Sequence, residues 1–312
     1  MTSEETEPQD APVLSVVIPS WNTCELTRIC LEFLDRAEKP ATEVIIVENG
    51  SEDGSLKMIR EDWPQHQLIV NEENQGFAKG SNQGLEVARG RFVFLLNTDT
   101  EIAPDSLALM IKFLGDNPDY GAVAPKLVHT DGRVQATVHS FPTLRTALWF
   151  ATPMERWFPN SKELRRYFLR DWDQETTRDI DQPPAAAMLL RREVLDNIGL
   201  FDETLWLFYN DTDLSLRMAK AGWKTRYLAE ARVVHHVGAS TKKFLRFVPV
   251  WNSNRLTFYR KHFGLRGTLV IKSAVTWTFL DYAWTHTWRR MRGKPAEPVA
   301  PIWREYRLFM GS

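Results

Sequence analysis

The sequence predicts an α/β fold with a mostly parallel sheet and helices on both faces. Short runs of Val, Ile and Leu alternate with segments whose apolar residues recur at helical spacing. The runs show no alternation of polar and apolar residues, which is typical of strands buried on both faces of a parallel sheet. Acids and amides directly follow three of the runs, as expected where the strands of an open sheet end at a ligand site.

The elements of this sheet are predicted in chain order from the apolar pattern. The first strands are predicted at residues 14–19, 44–47, 68–70 and 92–96. Helices are predicted over about residues 26–34, 55–61 and 77–88, and a further one follows Pro104. Later strands are predicted at residues 185–190, 225–228 and 232–235, and a helix at 211–220. This alternation favours βαβ units.

The composition excludes several classes of protein. The chain has 312 residues, 43% hydrophobic and 25% charged, which are globular rather than disordered or fibrous proportions. Cys24 and Cys30 are the two cysteines, too few for a disulfide framework, and they favour a reducing cytoplasmic location. No stretch of about 18 residues is apolar enough to predict a membrane-spanning helix. Residues 1–12 are polar and predict a disordered tail rather than a secretory signal.

Three strand ends are predicted to bring polar side chains to one edge of the sheet. Residues 20–22, 48–54 and 97–99 follow the first, second and fourth strands. Their carboxylates and amides have the donors and acceptors that the base and ribose of a nucleotide require. Each residue is also an ordinary turn or helix-cap candidate. Asp53 fits that second interpretation best, whereas Asp99 ends the most apolar strand.

Glycines recur every four residues between positions 76 and 84, in the run NQGFAKGSNQG. On a helix they form one smooth stripe, which predicts close packing of that helix against the sheet. The run does not match G-x-G-x-x-G, and no Walker A sequence occurs. The sequence therefore lacks the fingerprints of dinucleotide-binding and P-loop proteins.

A second acidic cluster lies at the start of the helix predicted at 211–220, after a group of aromatic residues. The partial positive charge of a helix start favours ionised carboxylates there. Asp213 and Arg217 are four residues apart and predict a structural ion pair. Asp211 is the better candidate for a catalytic base. His235 follows a predicted strand, and it is either a structural histidine or a metal ligand.

Seven segments, taken in order, resemble the inverting family-2 glycosyltransferases with the GT-A fold, and most of all their bacterial rhamnosyltransferase branch. They are VVIPSWN, VENGSEDGS, NEENQGFAKGSNQG, LLNTDT, AAAMLLRR, FDETLWLFYNDTDLSLRMAKAGW and HHVGAS. The resemblance implies a Rossmann-like catalytic domain over residues 13–240. Residues 13–125 would form its nucleotide-sugar-binding half. Residues 126–240 would form its acceptor-side half, with an aromatic-rich insertion at 141–181.

The resemblance also implies roles for single residues. Asp211 would be the general base, and Asp99 and His235 would hold Mg²⁺ or Mn²⁺. The nucleotide-diphospho-sugar donor would be bound by Pro19, Trp21, Asn22, Glu48, Asn49, Asp53, Gly76, Phe77, Asn82, Asn97, Thr98 and Asp99. The chain departs from the family at four positions. The family often has Asp at 48, an acid at 97, Gly at 185 and Glu at 210, where this chain has Glu, Asn, Ala and Asn.

The implied reaction transfers a sugar to a hydroxyl of a cell-surface glycan or a lipid-linked glycan. The preferred donor is dTDP-L-rhamnose, and a UDP-hexose or UDP-N-acetylhexosamine is the alternative. The departures at 97 and 210 also suggest a non-catalytic glycan- or nucleotide-binding protein on the same fold, but Asp99, Asp211 and His235 argue against it. A nucleotidyltransferase is disfavoured because no glycine-rich basic loop follows the first strand. The oligomeric state stays open.

Residues 241–312 predict a helical and basic C-terminal segment. Residues 242–294 contain twelve Lys and Arg but one acid, Asp281, with tryptophans between them. Such segments attach to anionic membrane surfaces, here the cytoplasmic face of the inner membrane. The alternative is that the segment packs on the catalytic domain. Nucleic-acid binding is disfavoured because no recognition motif occurs. Residues 244–292 are predicted helical, and 295–301 an extended linker.

Overall fold

The computed structural model describes residues 12–236 and 247–312. The predicted tail, apart from residue 12, and the last four residues of the HHVGAS segment lie outside the described residues. The described chain forms two compact units. The first contains residues 12–138, 173–203 and 210–236, and the second contains residues 139–172, 204–209 and 247–312.

A mixed sheet forms the centre of the first unit. Its strands are β1 Leu14–Ser20, β2 Thr42–Asn49, β3 Gln67–Asn71, β4 Phe92–Leu96, β5 Thr100–Ile102, β6 Tyr120–Val128, β7 Arg178–Asp179, β8 Ala187–Arg191 and β9 Lys224–His235. Their spatial order is β3-β2-β1-β4-β8-β6-β9-β5, with β7 beside β9. The first four strands in this order are parallel. β8 runs antiparallel to β4 and β6, and β5 runs antiparallel to β9.

The helices of the described chain are α1 Cys24–Arg36, α2 Ser55–Asp62, α3 Phe77–Val87, α4 Ser106–Asp116, α5 Leu144–Trp149, α6 Pro153–Trp157, α7 Lys162–Tyr167, α8 Arg192–Ile198, α9 Asn210–Lys220, α10 Phe247–Met291 and α11 Val299–Gly311. The sheet of the first unit separates two apolar clusters. Val16 and Ile18 of β1 belong to one cluster, and Val17 between them belongs to the other. This two-sided burial explains the unbroken apolar runs in the sequence.

The predicted α/β fold is confirmed, and the structure adds detail that the sequence pattern did not give. The strands predicted at 225–228 and 232–235 are one strand, β9, whose pairing with β6 shifts register between Pro125 and Lys126. Strands β5, β6 and β7 were not predicted. The glycine stripe of α3 packs as expected, because a Cβ on Gly84 would lie 2.4 Å from Cγ1 of Val17.

The second unit contains residues 141–172 of the predicted insertion together with the C-terminal helices, whereas residues 173–181 belong to the first unit. The aperiodic sequence of the insertion forms three helices, α5 to α7, of only five or six residues each. The side chains of Thr143, Thr152 and Ser161 accept hydrogen bonds from the first turns of these helices. Helices this short span less than two turns, so helical periodicity did not reveal them.

The C-terminal helices follow the prediction with one correction. α10 covers residues 247–291 of the predicted helical segment 244–292, whose residues 244–246 lie outside the described residues. It is interrupted at Gly264, whose φ of 60° lies outside helical geometry. The predicted linker 295–301 ends at 298, because α11 begins at Val299. Pro301 lies in the first turn of α11, where a missing N–H group costs no helical hydrogen bond. No helix of residues 12–236 or 247–312 is long and apolar enough to cross a membrane.

A buried arginine joins α10 to α5 inside the second unit. Arg255 is 2% exposed, and its guanidinium donates to the carbonyl oxygens of Ala147 and Phe150 at 2.6 and 3.0 Å. The same guanidinium lies 5.1 Å from the ring centre of Trp251. At least one of the twelve cations in the basic segment therefore stabilises the fold and is not at the surface.

Candidate active site

The segment Asn97–Asp99 leaves the carboxyl end of β4 and is held from both sides. Its first backbone N–H, that of Asn97, donates to the carbonyl of Ala186 at 2.9 Å. The buried hydroxyl of Thr98 lies 2.8 Å from the hydroxyl of Thr23, the residue before α1. These contacts fix the path of the backbone, so the position of Asp99 is set by the sheet rather than by a free loop.

Asp99 and His235 come together because β5 pairs with the end of β9. Thr100 is opposite His235 in that antiparallel pair, and the N–H of His236 donates to the carbonyl of Asp99 at 2.8 Å. The imidazole Nε2 of His235 lies 3.5 Å from Oδ1 of Asp99. The structure thus brings together the two predicted metal ligands, which are 136 positions apart in the chain.

These two side chains offer a divalent cation one oxygen and one nitrogen. No group of three or more His, Cys, Asp and Glu side chains suited to a metal occurs in the part of the chain that the structure describes. Oxygen donors suit Mg²⁺ and Mn²⁺, and imidazole also binds first-row transition metals. The donor set therefore fits a cation that takes its remaining ligands from a bound diphosphate and from water.

Asp211 lies in the first turn of α9 and is half-buried. Its Oδ1 accepts from the N–H of Thr212 at 2.7 Å, and the backbone N–H of Ala185 also donates to this carboxylate. Burial raises the pKa of the Asp211 carboxyl above its ordinary value, and the hydrogen bonds lower it only in part. A carboxylate with a raised pKa is a stronger base, which suits proton abstraction near neutral pH.

The residues before β8 connect Asp211 to the end of β4. Ala185 donates to the Asp211 carboxylate, and its neighbour Ala186 accepts from the N–H of Asn97. Ala185 stands where the family usually has Gly, yet its backbone makes this contact. The two residues before β8 therefore link the segment that contains Asp99 to Asp211, the candidate general base.

The neighbouring residues of α9 have structural contacts. As predicted, Asp213 pairs with Arg217, with 2.8 Å between Oδ2 and Nε. The same guanidinium donates to the carbonyls of Ile198 and Leu200, each at 2.7 Å. Asp213 is fully buried, so it anchors the first turn of α9 rather than facing a ligand.

Three of the predicted donor-binding residues contact the loop between β2 and α2: Asp53 lies in it, Glu48 lies near the end of β2, and Asn22 lies between β1 and α1. The carboxylate of Glu48 accepts from the N–H groups of Gly50 and Ser51 at 3.2 and 2.8 Å. Oδ1 of Asn22 accepts from the N–H of Glu52 at 2.8 Å. Asp53 accepts from the N–H of Ser55 at 3.2 Å and from that of Cys24 at 2.8 Å. These side chains hold two loops against each other.

A second group of predicted residues lies around the start of α3. Oδ1 of Asn49 accepts from the N–H of Gln75 at 3.0 Å, and its Nδ2 donates to the carbonyl of Gly76 at 3.1 Å. The Phe77 ring packs edge-on against that of Phe201, with centres 5.8 Å apart. Asn82 bonds to both backbone polar groups of Phe201. These contacts support the loop between β3 and α3, at the edge of the sheet where the site lies.

Pro19 and Trp21 lie at the carboxyl end of β1 and are partly exposed. They share the edge of the sheet with residues 97–99, as the strand-end argument predicts. Two contributors to this edge were not predicted from the sequence. Thr23 supports Thr98, and Gln135 bonds to the ring of His235. Neither residue belongs to a recognisable motif, so no sequence signal marked them.

The comparisons with known proteins agree with this geometry. The model of Glycosyl transferase family 2 matches residues 15–199, from β1 to the end of α8. The chain belongs to glycosyl transferase family 2. The matched part contains Asp99 and the loops that follow β1 and β2, whereas Asp211 and His235 follow it in the chain.

Two curated relatives of this glycosyltransferase are bacterial proteins. It is 25% identical over 240 residues to the N-acetylglucosaminyl-diphospho-decaprenol L-rhamnosyltransferase of Mycobacterium tuberculosis, covering 73% of this chain and 78% of the relative. It is 26% identical over 234 residues to the O-antigen biosynthesis protein RfbC of Myxococcus xanthus, covering 74% of this chain and 18% of that protein.

Solved structures confirm the GT-A fold. The mannosyltransferase PcManGT of Pyrobaculum calidifontis, in complex with GDP-Man and Mn²⁺, aligns with a TM-score of 0.55 at 19% identity, covering 96% of this chain and 80% of that one. GalNAc-T7 with UDP, GalNAc and Mn²⁺ aligns with a TM-score of 0.54 at 15% identity, covering 83% of this chain and 52% of that one. At these identities the likeness concerns the fold.

Proposed function

We propose that this glycosyltransferase is an inverting enzyme that transfers L-rhamnose from dTDP-L-rhamnose to a hydroxyl of a lipid-linked or cell-surface glycan. The observation that carries the proposal is the Asp99–His235 pair together with half-buried Asp211. The two residues just before β8 connect Asp211 to the segment that contains Asp99. The name of the mycobacterial relative supports the choice of sugar and of a lipid-linked acceptor. A UDP-hexose or UDP-N-acetylhexosamine is the alternative donor.

Asp211 would act as the general base. Its carboxylate would accept the proton of the acceptor hydroxyl as the oxygen attacks the anomeric carbon, on the side opposite the leaving diphosphate. The N–H groups of Thr212 and Ala185 would hold the carboxylate in place during this transfer. A single displacement inverts the anomeric centre and needs no carboxylate nucleophile. General-base help of this kind is worth roughly 10²–10⁴-fold in rate.

Asp99 and His235 are the residues that would hold Mg²⁺ or Mn²⁺. When bound there, the cation would supply positive charge that stabilises the leaving diphosphate. The protein contributes the fixed position of the two ligands through the β5–β9 pair. The loops that contain Asn22, Glu48 and Asp53 would bind the nucleotide through a shape that their internal hydrogen bonds already fix.

The experiment that tests this function is a turnover and thermal-shift panel of nucleotide sugars with Mn²⁺, Mg²⁺ or EDTA. We expect dTDP-L-rhamnose to stabilise the protein in a metal-dependent way, and Asp211→Asn to bind donor without turnover. The exposed carboxylate of Asp196 on α8 provides the matched control, and Asp196→Asn should keep full turnover. A product with retained anomeric configuration, or no turnover with any donor and metal, would refute the proposal.

The second unit would attach the enzyme peripherally to the cytoplasmic leaflet of the membrane. Large apolar side chains are exposed on one stripe of α10 after Gly264, at helical spacing: Leu265, Leu269, Leu280, Trp284, Trp288 and Met291. Trp284 is 71% exposed. Exposed cations also lie on the part of α10 after Gly264 and just beyond its end: Arg266, Arg289, Arg290, Arg292 and Lys294. A basic helix with an exposed apolar stripe fits an anionic bilayer surface.

Vesicle co-sedimentation tests this attachment. The protein should bind anionic vesicles and bind purely zwitterionic ones much less, and Leu269→Ser with Trp284→Ser should abolish binding. Val70 and Val87 are exposed apolar residues of the first unit, so Val70→Ser with Val87→Ser serves as the control and should bind normally. Equal binding of both double variants would contradict the attachment through α10.

A further inference from the structure

We propose that Gln135 is a positioning residue that fixes which nitrogen of His235 carries the proton. This inference rests on the proposed function, in which Nε2 of His235 is a metal ligand. Gln135 follows β6 and is only 3% exposed. Its side chain lies against the end of β9, and no motif of the sequence includes it.

Two backbone carbonyls fix the orientation of the Gln135 amide. Its Nε2 donates to the carbonyl oxygens of His235 at 2.6 Å and of Val128 at 3.1 Å. Carbonyl oxygens only accept hydrogen bonds, so the opposite orientation would place three acceptors together in a buried site. The amide nitrogen therefore faces the carbonyls. Nδ1 of His129, 3.3 Å from this nitrogen, is another possible acceptor.

The amide oxygen in turn determines the state of the His235 ring. Oε1 of Gln135 lies 3.0 Å from Nδ1 of His235. Because this oxygen can only accept, Nδ1 must carry a hydrogen. In the neutral imidazole, Nε2 then presents its lone pair, and Nε2 is the atom that lies 3.5 Å from the Asp99 carboxylate.

The resulting arrangement is suited to a cation. A lone pair and a carboxylate oxygen that face each other repel unless positive charge lies between them. Hydrogen bonds to the second nitrogen of a ligating histidine commonly set its tautomer and orientation in metal sites. Gln135 would supply that hydrogen bond from 100 residues away in the chain.

The test compares two substitutions of Gln135. Together they separate the role of its amide oxygen, which accepts from Nδ1 of His235, from that of its amide nitrogen, which donates to the two carbonyls. Gln135→Met has nearly the same shape and removes both. Gln135→Glu keeps an acceptor at Nδ1 but loses the amide donor. Gln174 is equally buried in the same unit and its amide donates to the carbonyl of Val138 at 3.4 Å, so Gln174→Met is the matched control. The measurements are ¹⁵N imidazole shifts of His235 with Mg²⁺ and dTDP, Mn²⁺ affinity with dTDP present, and urea unfolding.

We expect the wild-type protein to show the Nδ1–H tautomer. Gln135→Met should lose this preference and bind Mn²⁺ about 10–100-fold more weakly, as is typical when the partner of a ligating histidine is removed. Gln135→Glu should keep the tautomer and most of the affinity for Mn²⁺. Both substitutions should lower stability towards urea, because both leave the two carbonyls without their donor.

Three results would overturn the inference. The first is a Gln135→Met protein with the Nδ1–H tautomer and unchanged Mn²⁺ affinity. The second is Gln135→Glu losing as much affinity as Gln135→Met, since the effect would then follow stability and not the acceptor. The third is an equal loss of affinity in Gln174→Met. A wild-type protein that binds no Mn²⁺ with dTDP would refute the proposed metal site instead, while the tautomer shifts would still test the role of Gln135.

Discussion

The substitution Asn82→Ala distinguishes a nucleotide-binding role of this side chain from a structural one. The family resemblance assigns Asn82 to the nucleotide. The structure gives its amide other partners. Nδ2 donates to the carbonyl of Phe201 at 2.9 Å and to Oε1 of Glu203 at 3.0 Å, and Oδ1 accepts from the N–H of Phe201 at 3.0 Å. Both Asn82 and Phe201 are almost fully buried.

The magnitude follows from the groups that Asn82→Ala leaves without partners. A buried polar group that loses its hydrogen bond costs about 1–3 kcal/mol, and Phe201 would lose partners for two such groups. We therefore expect the free energy of unfolding of the first unit to fall by about 2–6 kcal/mol. Urea unfolding followed by circular dichroism measures this loss, and titration with dTDP or UDP measures nucleotide affinity.

Gln83, the next residue of α3, is the matched control. Its amide exchanges two hydrogen bonds with the side chain of Asn71, at 2.7 and 2.9 Å. Both residues are half-buried, and Nδ2 of Asn71 also donates to Oδ1 of Asn49 at 3.1 Å. Water can therefore replace the lost partner of Asn71, and Gln83→Ala should cost only about 1 kcal/mol. If Asn82→Ala is no less stable than Gln83→Ala but binds nucleotide far more weakly, the amide of Asn82 contacts the nucleotide and the structural argument is wrong.

Three further outcomes follow from burial and protonation. Asp211→Asn should lower kcat by roughly 10²–10⁴-fold, because the general base is lost. It should not lower Tm, because a neutral amide is cheaper to bury than a carboxylate and still accepts from the N–H of Thr212. A lower Tm would contradict this reasoning. Burial lowers the pKa of His139 to about 4. As pH falls from 6.5 to 4, this imidazole takes up a proton in the unfolded state before it does so in the folded state, and about 3 kcal/mol of stability is lost. His139→Phe should remove that slope in pH-dependent urea unfolding, and an unchanged slope would assign it to other groups. Burial raises the pKa of the Cys30 thiol to about 12, so maleimide should label Cys24 and leave Cys30 unmodified in the folded protein, as mass spectrometry of the peptides would show.

The sequence predicted the strands that consist of unbroken apolar runs and missed β6, although β6 is also buried. β1 and β4 are runs of large apolar residues because both faces of each strand are covered. β6 is equally buried, but its sequence YGAVAPKLV contains small and polar residues that hide it. A Cβ on Gly121 would lie 2.7 Å from Val194, and Pro125 lies at the register shift with β9. Neighbours packed from elsewhere in the chain, not a local pattern, select these residues.

The candidate site divides in the same way. The rule that ligands bind at strand ends placed residues 20–22, 48–54 and 97–99 at one edge of the sheet, because it depends only on local order and the three strands are parallel. The partners of individual atoms depend on contacts that are distant in sequence. Asn82 meets Phe201 across 119 positions, and Gln135 meets His235 across 100. No spacing in the sequence could indicate such pairs.

The contacts of Glu48 show what the side chain does at one departure from the family pattern. Glu48 stands where the family often has Asp, and its carboxylate reaches forward to the N–H groups of both Gly50 and Ser51. Ser51 in turn accepts from the N–H of Asn22 through its hydroxyl at 2.9 Å. Asp can also accept from N–H groups a few residues ahead, so Glu48 keeps a carboxylate contact that orders the loop after β2. Because a loop held by internal hydrogen bonds loses less conformational entropy on binding, these contacts would favour affinity for the donor.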